Sequence, residues 1–220
     1  MPDAVIFDLD GVLLDSEQRW NEAKGALVRE SGGRWSEDAP AAMMGMSSPE
    51  WSTYLRDRLG VPLDVAEINR RVVAHMDEGY VRELPLLPGA RETVLGLAER
   101  WPLGLASSSN REIIDRFLEL SDLGGAFRVH ISSEEVGRGK PAPDVYIEAA
   151  RCLGAAPAAC VAIEDSGNGL RAAAAAGMPV IAVPNPHYPP EEGALALAAA
   201  TVAGVAEVTW DLIESVGAGR

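Results

Sequence analysis

Short apolar runs alternate with helix-spaced apolar residues along most of the chain. Runs of strand length stand at residues 4–7, 103–106, 128–131, 160–163 and 179–183, each too short for a helix and bounded by polar or turn residues. Between the second and third runs, Ile113, Ile114, Phe117 and Leu118 recur at helical spacing. After the third, Tyr146, Ile147, Ala150 and Leu153 do the same before Gly154. Strands alternating with helices predict an α/β, Rossmann-like core: a parallel sheet flanked by helices.

The interval from the first run to Leu103 is far longer than one crossover helix needs, so it predicts an insertion. Within it Ser16 is placed to cap a helix burying Trp20, Ala23 and Leu27. Ser48-Pro49 opens a helix burying Trp51, Leu55 and Leu59, and Asp64 with Glu67 opens another burying Ile68, Val72 and Met76. Pro85 and Pro88-Gly89 mark the return to the core, followed by a helix through Val94, Leu97, Ala98 and Trp101. The expected division is a catalytic core of residues 1–15 and 87–220 and an α-helical cap of residues 16–86, with hinges near Asp15 and Leu87. Residues 184–190 read as a loop whose His187 and Tyr188 meet solvent or the cap. The alanine runs at 172–176 and 196–200 read as closely packed helix.

A net charge of -14 opposes a polyanionic partner, so no nucleic acid is expected. It also means that a phosphorylated small molecule needs local cations. Both cysteines, Cys152 and Cys160, fall in apolar periodic segments and read as buried free thiols of a reducing compartment. The chain starts in an apolar strand, and no apolar run approaches the ~20 residues of a membrane span, so a cytoplasmic location and no membrane partner are expected. The expected assembly is a monomer or weak homodimer.

In an open parallel sheet, ligands bind beyond the carboxyl ends of the strands. The first run ends in Asp8-Leu9-Asp10-Gly11 and the second in Ser107-Ser108-Ser109-Asn110. Gly139-Lys140-Pro141 follows the third, and the fourth ends in Glu164-Asp165-Ser166. Each tip alone is ordinary turn or cap chemistry. Together they gather several carboxylates, hydroxyls and an ammonium in one crevice, an arrangement that costs stability unless a cation joins it. A hard divalent ion, Mg²⁺, held by Asp8, Asp165, Glu164 and the Asp10 carbonyl meets that need. Asp8 is then placed to attack phosphorus, with Ser107 and Lys140 on the phosphoryl oxygens and Gly11 giving the backbone close approach. Asp10 is placed to protonate the leaving oxygen and activate water.

These motifs resemble the haloacid dehalogenase superfamily, in its phosphatase and β-phosphoglucomutase-like branch with a helical cap, over nearly the whole chain. Asp8-Leu9-Asp10-Gly11-Val12 is similar to the first motif and Ser107, in Leu105-Ala106-Ser107-Ser108-Ser109, to the second. Gly139-Lys140-Pro141-Ala142-Pro143-Asp144 is similar to the third, and Glu164-Asp165-Ser166 with Gly169 and Ala172-Ala173 to the fourth. The resemblance implies Asp8 as nucleophile and Asp10 as acid/base. It implies Ser107 and Lys140 as phosphate ligands, joined here by Ser108 and Gly11. It implies a magnesium site of Asp8, Asp10 and Asp165 supported by Glu164. The expected activity is hydrolysis of a small phosphorylated metabolite through an aspartyl-phosphate. Asp10 speaks against dehalogenation.

A mutase of that branch carries His, Arg and Lys where Trp20, Ser48 and Met76 stand here, so hydrolysis is expected over isomerisation. Trp20, Gly45, Ser47 and Ser48 are the candidate specificity residues. The methionines of segment 43–48 either form an adaptable apolar wall or simply pack the cap. Two other classes compete. A phosphoacceptor signalling module shares the acidic pocket but needs neither the insertion nor Asp10. A dinucleotide oxidoreductase has only Gly167-Asn168-Gly169-Leu170-Arg171-Ala172 in its favour.

Overall fold

The structure, a computed structural model, describes residues 1–44 and 46–218. The strands are β1 (Ala4–Phe7), β2 (Leu103–Ser107), β3 (Phe127–Ser132), β4 (Cys160–Glu164), β5 (Val180–Ala182) and β6 (Ala200–Thr201). They form one six-stranded sheet in the order β3-β2-β1-β4-β5-β6, with every neighbouring pair parallel. Val5 and Phe7 of β1 enter one hydrophobic cluster, Ala4 and Ile6 the other. Val161 and Ile163 of β4 part from Cys160 and Ala162 in the same way. This is strand alternation between two covering layers, and burial on both faces is why β1 and β4 read as unbroken apolar runs. One layer holds α5 (Ala90–Ala98), α6 (Arg111–Ser121) and α10 (Trp210–Ala218), the other α7 (Asp144–Leu153), α8 (Gly167–Ala175) and α9 (Glu192–Leu195). From β1 the sheet grows one way through β2 and β3 and the other way through β4 to β6. Between β1 and β4 the connections therefore diverge, leaving a crevice at the strands' carboxyl ends.

Between β1 and β2 the chain forms α1 (Glu17–Glu30), α2 (Ala39–Met43), α3 (Ser48–Asp57) and α4 (Val65–Arg82). Trp20, Ala23 and Leu27 of α1, Trp51 and Leu55 of α3, and Ile68, Val72 and Met76 of α4 are buried as their spacing predicts. They join the cluster that contains Val5 and Phe7. Ser47 and Glu50 close a capping box on α3, and the Asp64 carboxylate accepts the Glu67 N–H at 2.8 Å on α4. The chain enters and leaves this insertion side by side. Leu14 bridges Leu86, Asp15 N–H donates to the Pro85 carbonyl at 2.8 Å, and Leu87 N–H donates to the Leu13 carbonyl at 2.9 Å.

Several local expectations are corrected. The run at 196–200 is not helix: α9 stops at Leu195, and Ala200 pairs with Ile181 as the start of edge strand β6. Bonds from Ala199 N–H to the Val180 carbonyl and from Val202 N–H to the Ala182 carbonyl outweigh alanine's helical preference. Cys152 is exposed, since α7 buries Tyr146, Ala149 and Ala150 and turns Cys152 and Ile147 outward, while Cys160 is buried as expected. Ser16 stands at the N-cap of α1 but makes no side-chain cap, because its hydroxyl donates to the Asp10 carboxylate instead. The loop residue Tyr188 reaches the insertion, where its hydroxyl accepts from Asn21 Nδ2 at 3.3 Å.

Candidate active site

The crevice between β1 and β4 is built from the residues that end these strands. Asp8 stays in the ladder through its N–H, which donates to the Ile163 carbonyl at 2.9 Å. The turn after it folds back on itself, with Gly11 N–H donating to the Leu14 carbonyl at 2.8 Å. Gly11 has φ +81°, and a Cβ there would stand 2.0 Å from Asp165 Oδ2. The glycine thus serves a left-handed turn and the approach of Asp165, whereas the sequence pointed to a phosphate at this backbone.

Glu164 is fully buried and fully used. Its Oε1 accepts from Lys140 Nζ at 2.5 Å and Tyr146 Oη at 2.8 Å, and its Oε2 accepts from Asp165 N–H at 3.0 Å and from Ser166 N–H and Oγ at 3.2 Å. A Cβ on Gly169 would lie 1.9 Å from this carboxylate. The glycine pattern at 167–169 therefore makes room for Glu164, and the case for a dinucleotide site loses its support. Gly169→Ala is expected to destabilise the fold by about 1–3 kcal/mol through overpacking. Urea unfolding checks this, and an unchanged midpoint contradicts it.

Lys140 reaches the same crevice from the loop after β3. Its ammonium donates to Asp8 Oδ1 at 2.5 Å, to Glu164 Oε1 at 2.5 Å and to the Ala106 carbonyl at 3.0 Å. Its three protons are thus directed at protein oxygens, so it acts first as counter-charge to two buried carboxylates. The sequence pointed to phosphate alone. Burial lowers the Lys140 pKa, but Asp8 and then Glu164 outweigh it and the net shift is upward. Burial lifts the Asp8 carboxyl well above its ordinary range, opposed by Lys140 and reinforced by Glu164 and Asp10. Asp165 is lifted likewise by burial, with Glu164 and Asp8 adding to it.

Asp8, Glu164 and Asp165 each bring a carboxylate oxygen within 4.8 Å of the others. Asp165 Oδ2 is buried with no hydrogen-bond partner among the described residues. An orphaned carboxylate oxygen beside two further carboxylates is a donor set suited to a hard divalent cation. The Asp10 side chain stands outside this cluster. Its Oδ1 accepts from the Ser16 hydroxyl and from Trp20 Nε1 at 3.1 Å, and its Oδ2 accepts from Ser109 Oγ at 2.5 Å.

These groups face one open crevice between the strand tips and the insertion. Asp8, Asp10, Ser108, Ser109, Lys140 and Asp165 line it from the sheet side. Ser107 does not reach its wall; its Oγ accepts from Ser109 N–H at 2.9 Å. From the insertion come Glu17, Trp20, Lys24 and Trp51, together with Met43, Met44 and Met46. The methionine segment is seated there by Asn168 Nδ2, which donates to the Met44 carbonyl at 3.0 Å. Of the candidate specificity residues, Trp20 lines the cavity. Ser47 and Ser48 do not: Ser47 Oγ donates to Glu50 at 2.6 Å, and Ser48 Oγ donates to Asn110 Oδ1 at 2.7 Å. Gly45 lies outside the described residues.

Sequence reasoning missed Ser16, Glu17, Lys24, Trp51 and Ser109 as site residues. Lys24 had a readable mark: it lies four positions after Trp20, on the apolar stripe of α1 where a cation is out of place. Burial lowers its pKa to about 8, with Glu17 and then Asp10 pulling upward. Burial lifts Glu17 to about 7, with Lys24 opposing.

A doubly wound sheet with paired aspartates at its first strand, a lysine and an acidic pair at its switch point, and a helical insertion after that strand define a class. The chain belongs to the haloacid dehalogenase-like hydrolases, whose family description matches residues 2–177. It is a phosphomonoester hydrolase. It is 37% identical over 190 residues to hexitol phosphatase B of Escherichia coli (strain K12), covering 84% of each chain. It is 33% identical over 178 residues to a phosphorylated carbohydrates phosphatase of Thermotoga maritima, covering 80% of this chain and 82% of that one. Its fold matches CbbY from Rhodobacter sphaeroides, solved in complex with phosphate, with a TM-score of 0.85, 26% identity and coverage of 97% and 100%. Among the described residues no helix is long and apolar enough to cross a membrane.

Proposed function

We propose that this chain hydrolyses the phosphate ester of a sugar or polyol through an aspartyl-phosphate on Asp8, with Mg²⁺ as counter-ion. The observation that carries the reading is Asp8 at the β1–β4 switch point, 2.5 Å from Lys140 and facing the same cavity as Asp10. The names of the two phosphatase relatives support the substrate class.

In the first half-reaction an Asp8 carboxylate oxygen bonds to phosphorus as the ester P–O bond breaks, and the departing oxygen takes a proton from Asp10. In the second, water attacks phosphorus and gives its proton to Asp10, releasing inorganic phosphate and restoring Asp8. Three donors from Ser16, Trp20 and Ser109 hold the Asp10 carboxylate in position for both transfers. Lys140 and Ser108 line the wall beside the phosphoryl group, and Ser107 supports Ser109. Asp8, Asp165 and the Asp10 carbonyl would hold the metal, with Glu164 behind them. Magnesium, when bound, offsets the combined negative charge of these carboxylates and the phosphate. Chelation with EDTA is expected to cut phosphate release by about 100-fold or more, and added Mg²⁺ to restore it. Turnover that survives EDTA contradicts the proposal.

Residues 16–86 are read as the cap over a core of residues 1–15 and 87–220, with the linkers near Asp15 and Leu87 as its hinges. The resemblance to the β-phosphoglucomutase-like branch keeps a phosphomutase in view, but the side chains favour hydrolysis. Met76 is buried in the hydrophobic cluster, the Ser48 hydroxyl is bound to Asn110, and Trp20 is bound to Asp10, so none of the three grips a second phosphate. A hexose 1-phosphate assayed with a sugar bisphosphate is expected to yield free phosphate, and yield of the isomeric ester instead would reverse this choice.

A further inference from the structure

Lys24 lines the cavity, yet no step of the transfer uses it. It stands one turn after Trp20 and two turns after Glu17, so all three share one face of α1. The residue is only 6% exposed, and its Nζ lies 5.2 Å from the ring centroids of both Trp20 and Trp51. Lysine normally extends its ammonium to water, because burying an unpaired charge costs several kcal/mol. Among the described residues no carboxylate lies within 4.0 Å of it and it donates no hydrogen bond. The two indole faces stabilise the cation without occupying any of its three protons. A buried ammonium with unspent donors on a cavity wall is built for an acceptor that arrives with the ligand.

What kind of acceptor follows from its neighbours. Glu17 is on the same wall, and Asp10 lies close by, bonded to Trp20. A second anionic group on the substrate would meet these carboxylates, whereas a hydroxyl accepts from the ammonium and donates to Glu17 at no charge cost. The faces of Trp20 and Trp51 and the methionines give the carbon chain between hydroxyls an apolar surface.

We infer that Lys24, held between Trp20 and Trp51, is a specificity-determining residue that donates hydrogen bonds to hydroxyl groups on the uncharged part of the substrate, with Glu17 accepting from a neighbouring hydroxyl. The inference rests on the phosphatase reading and deepens it: the leaving alcohol is a neutral polyol. The test compares wild type with Lys24→Met on sorbitol 6-phosphate, 3-phosphoglycerate and phenyl phosphate, with thermal melting to follow the fold. Wild type is expected to favour the hexitol ester over 3-phosphoglycerate. In Lys24→Met, the ratio of kcat/KM for the hexitol ester to that for phenyl phosphate is expected to fall about 10- to 100-fold, mainly through KM. An unchanged ratio, or an equal loss on both esters, assigns Lys24 a merely structural role and overturns the inference. A wild-type preference for 3-phosphoglycerate that Lys24→Met removes overturns it in favour of an anionic ligand. Wild type that leaves phenyl phosphate intact overturns the phosphatase reading itself, and this inference with it.

Discussion

Asp8→Asn is expected to lower kcat toward an aryl phosphate by at least about 10⁴-fold while the protein stays folded. The amide has nearly the shape of the carboxylate, so packing around β1 is kept, but it is too poor a nucleophile to bond to phosphorus. Stability is expected to change little, because two effects oppose each other. Burial already disfavours the Asp8 charge, so neutralising it is a gain, while Lys140 loses one of its two carboxylate partners. Phosphate release and a thermal melt on the same sample separate loss of chemistry from loss of fold. Activity within tenfold of wild type would remove Asp8 from its role.

Lys140→Met is the second large effect, and it strikes fold and chemistry together. It leaves Asp8 and the fully buried Glu164 without the ammonium 2.5 Å from each. Breaking a buried ion pair on one side costs about 3–5 kcal/mol, because the remaining charge has lost its counter-charge without regaining water. Adding Glu164→Gln to Lys140→Met is expected to recover part of the urea midpoint, since the second buried charge then disappears while the amide keeps an acceptor for the Asp165 and Ser166 N–H groups. It should recover none of the activity, because the neighbour of Asp8 is still missing. A double variant no more stable than the single one would show that Glu164 is not coupled to Lys140.

The sheet was readable because β1, β2, β4 and β5 are mostly apolar runs buried on both faces, whereas β3 is mixed, with Arg128 exposed and His130 half-buried, and shows as a run of strand length only. β6 was not: two residues show no period, and Ala200 lies in a run whose intrinsic preference is helical. Only the edge of β5 makes it a strand. The strand tips were readable for a related reason. Asp8, Asp10, Glu164 and Asp165 stand at the ends of apolar runs, with Lys140 in the loop after the third run, where folding alone has little use for so much charge.

The wall contributed by the insertion was harder to read. Ser47 and Ser48 were read as free to meet a substrate, but folding commits Ser47 to Glu50, which the capping-box spacing announces, and Ser48 to Asn110, which no local pattern announces. Glu17 looked like an ordinary first-turn acid, and Lys24, although out of place on the apolar stripe of α1, carried no sign of what it faces. They become site residues only because α1 packs with that face toward the crevice, a tertiary fact. Gly11 was read as a place of close approach, and the group that approaches it is the Asp165 carboxylate; Gly169, read only as part of a motif, makes room for Glu164 in the same way.

A crystal of the protein soaked with beryllium fluoride and Mg²⁺ is expected to show density for a tetrahedral fluoroberyllate continuous with a carboxylate oxygen of Asp8. An adduct on any other residue, or a fluoroberyllate bound in the crevice without a bond to Asp8, would contradict Asp8 as the nucleophile.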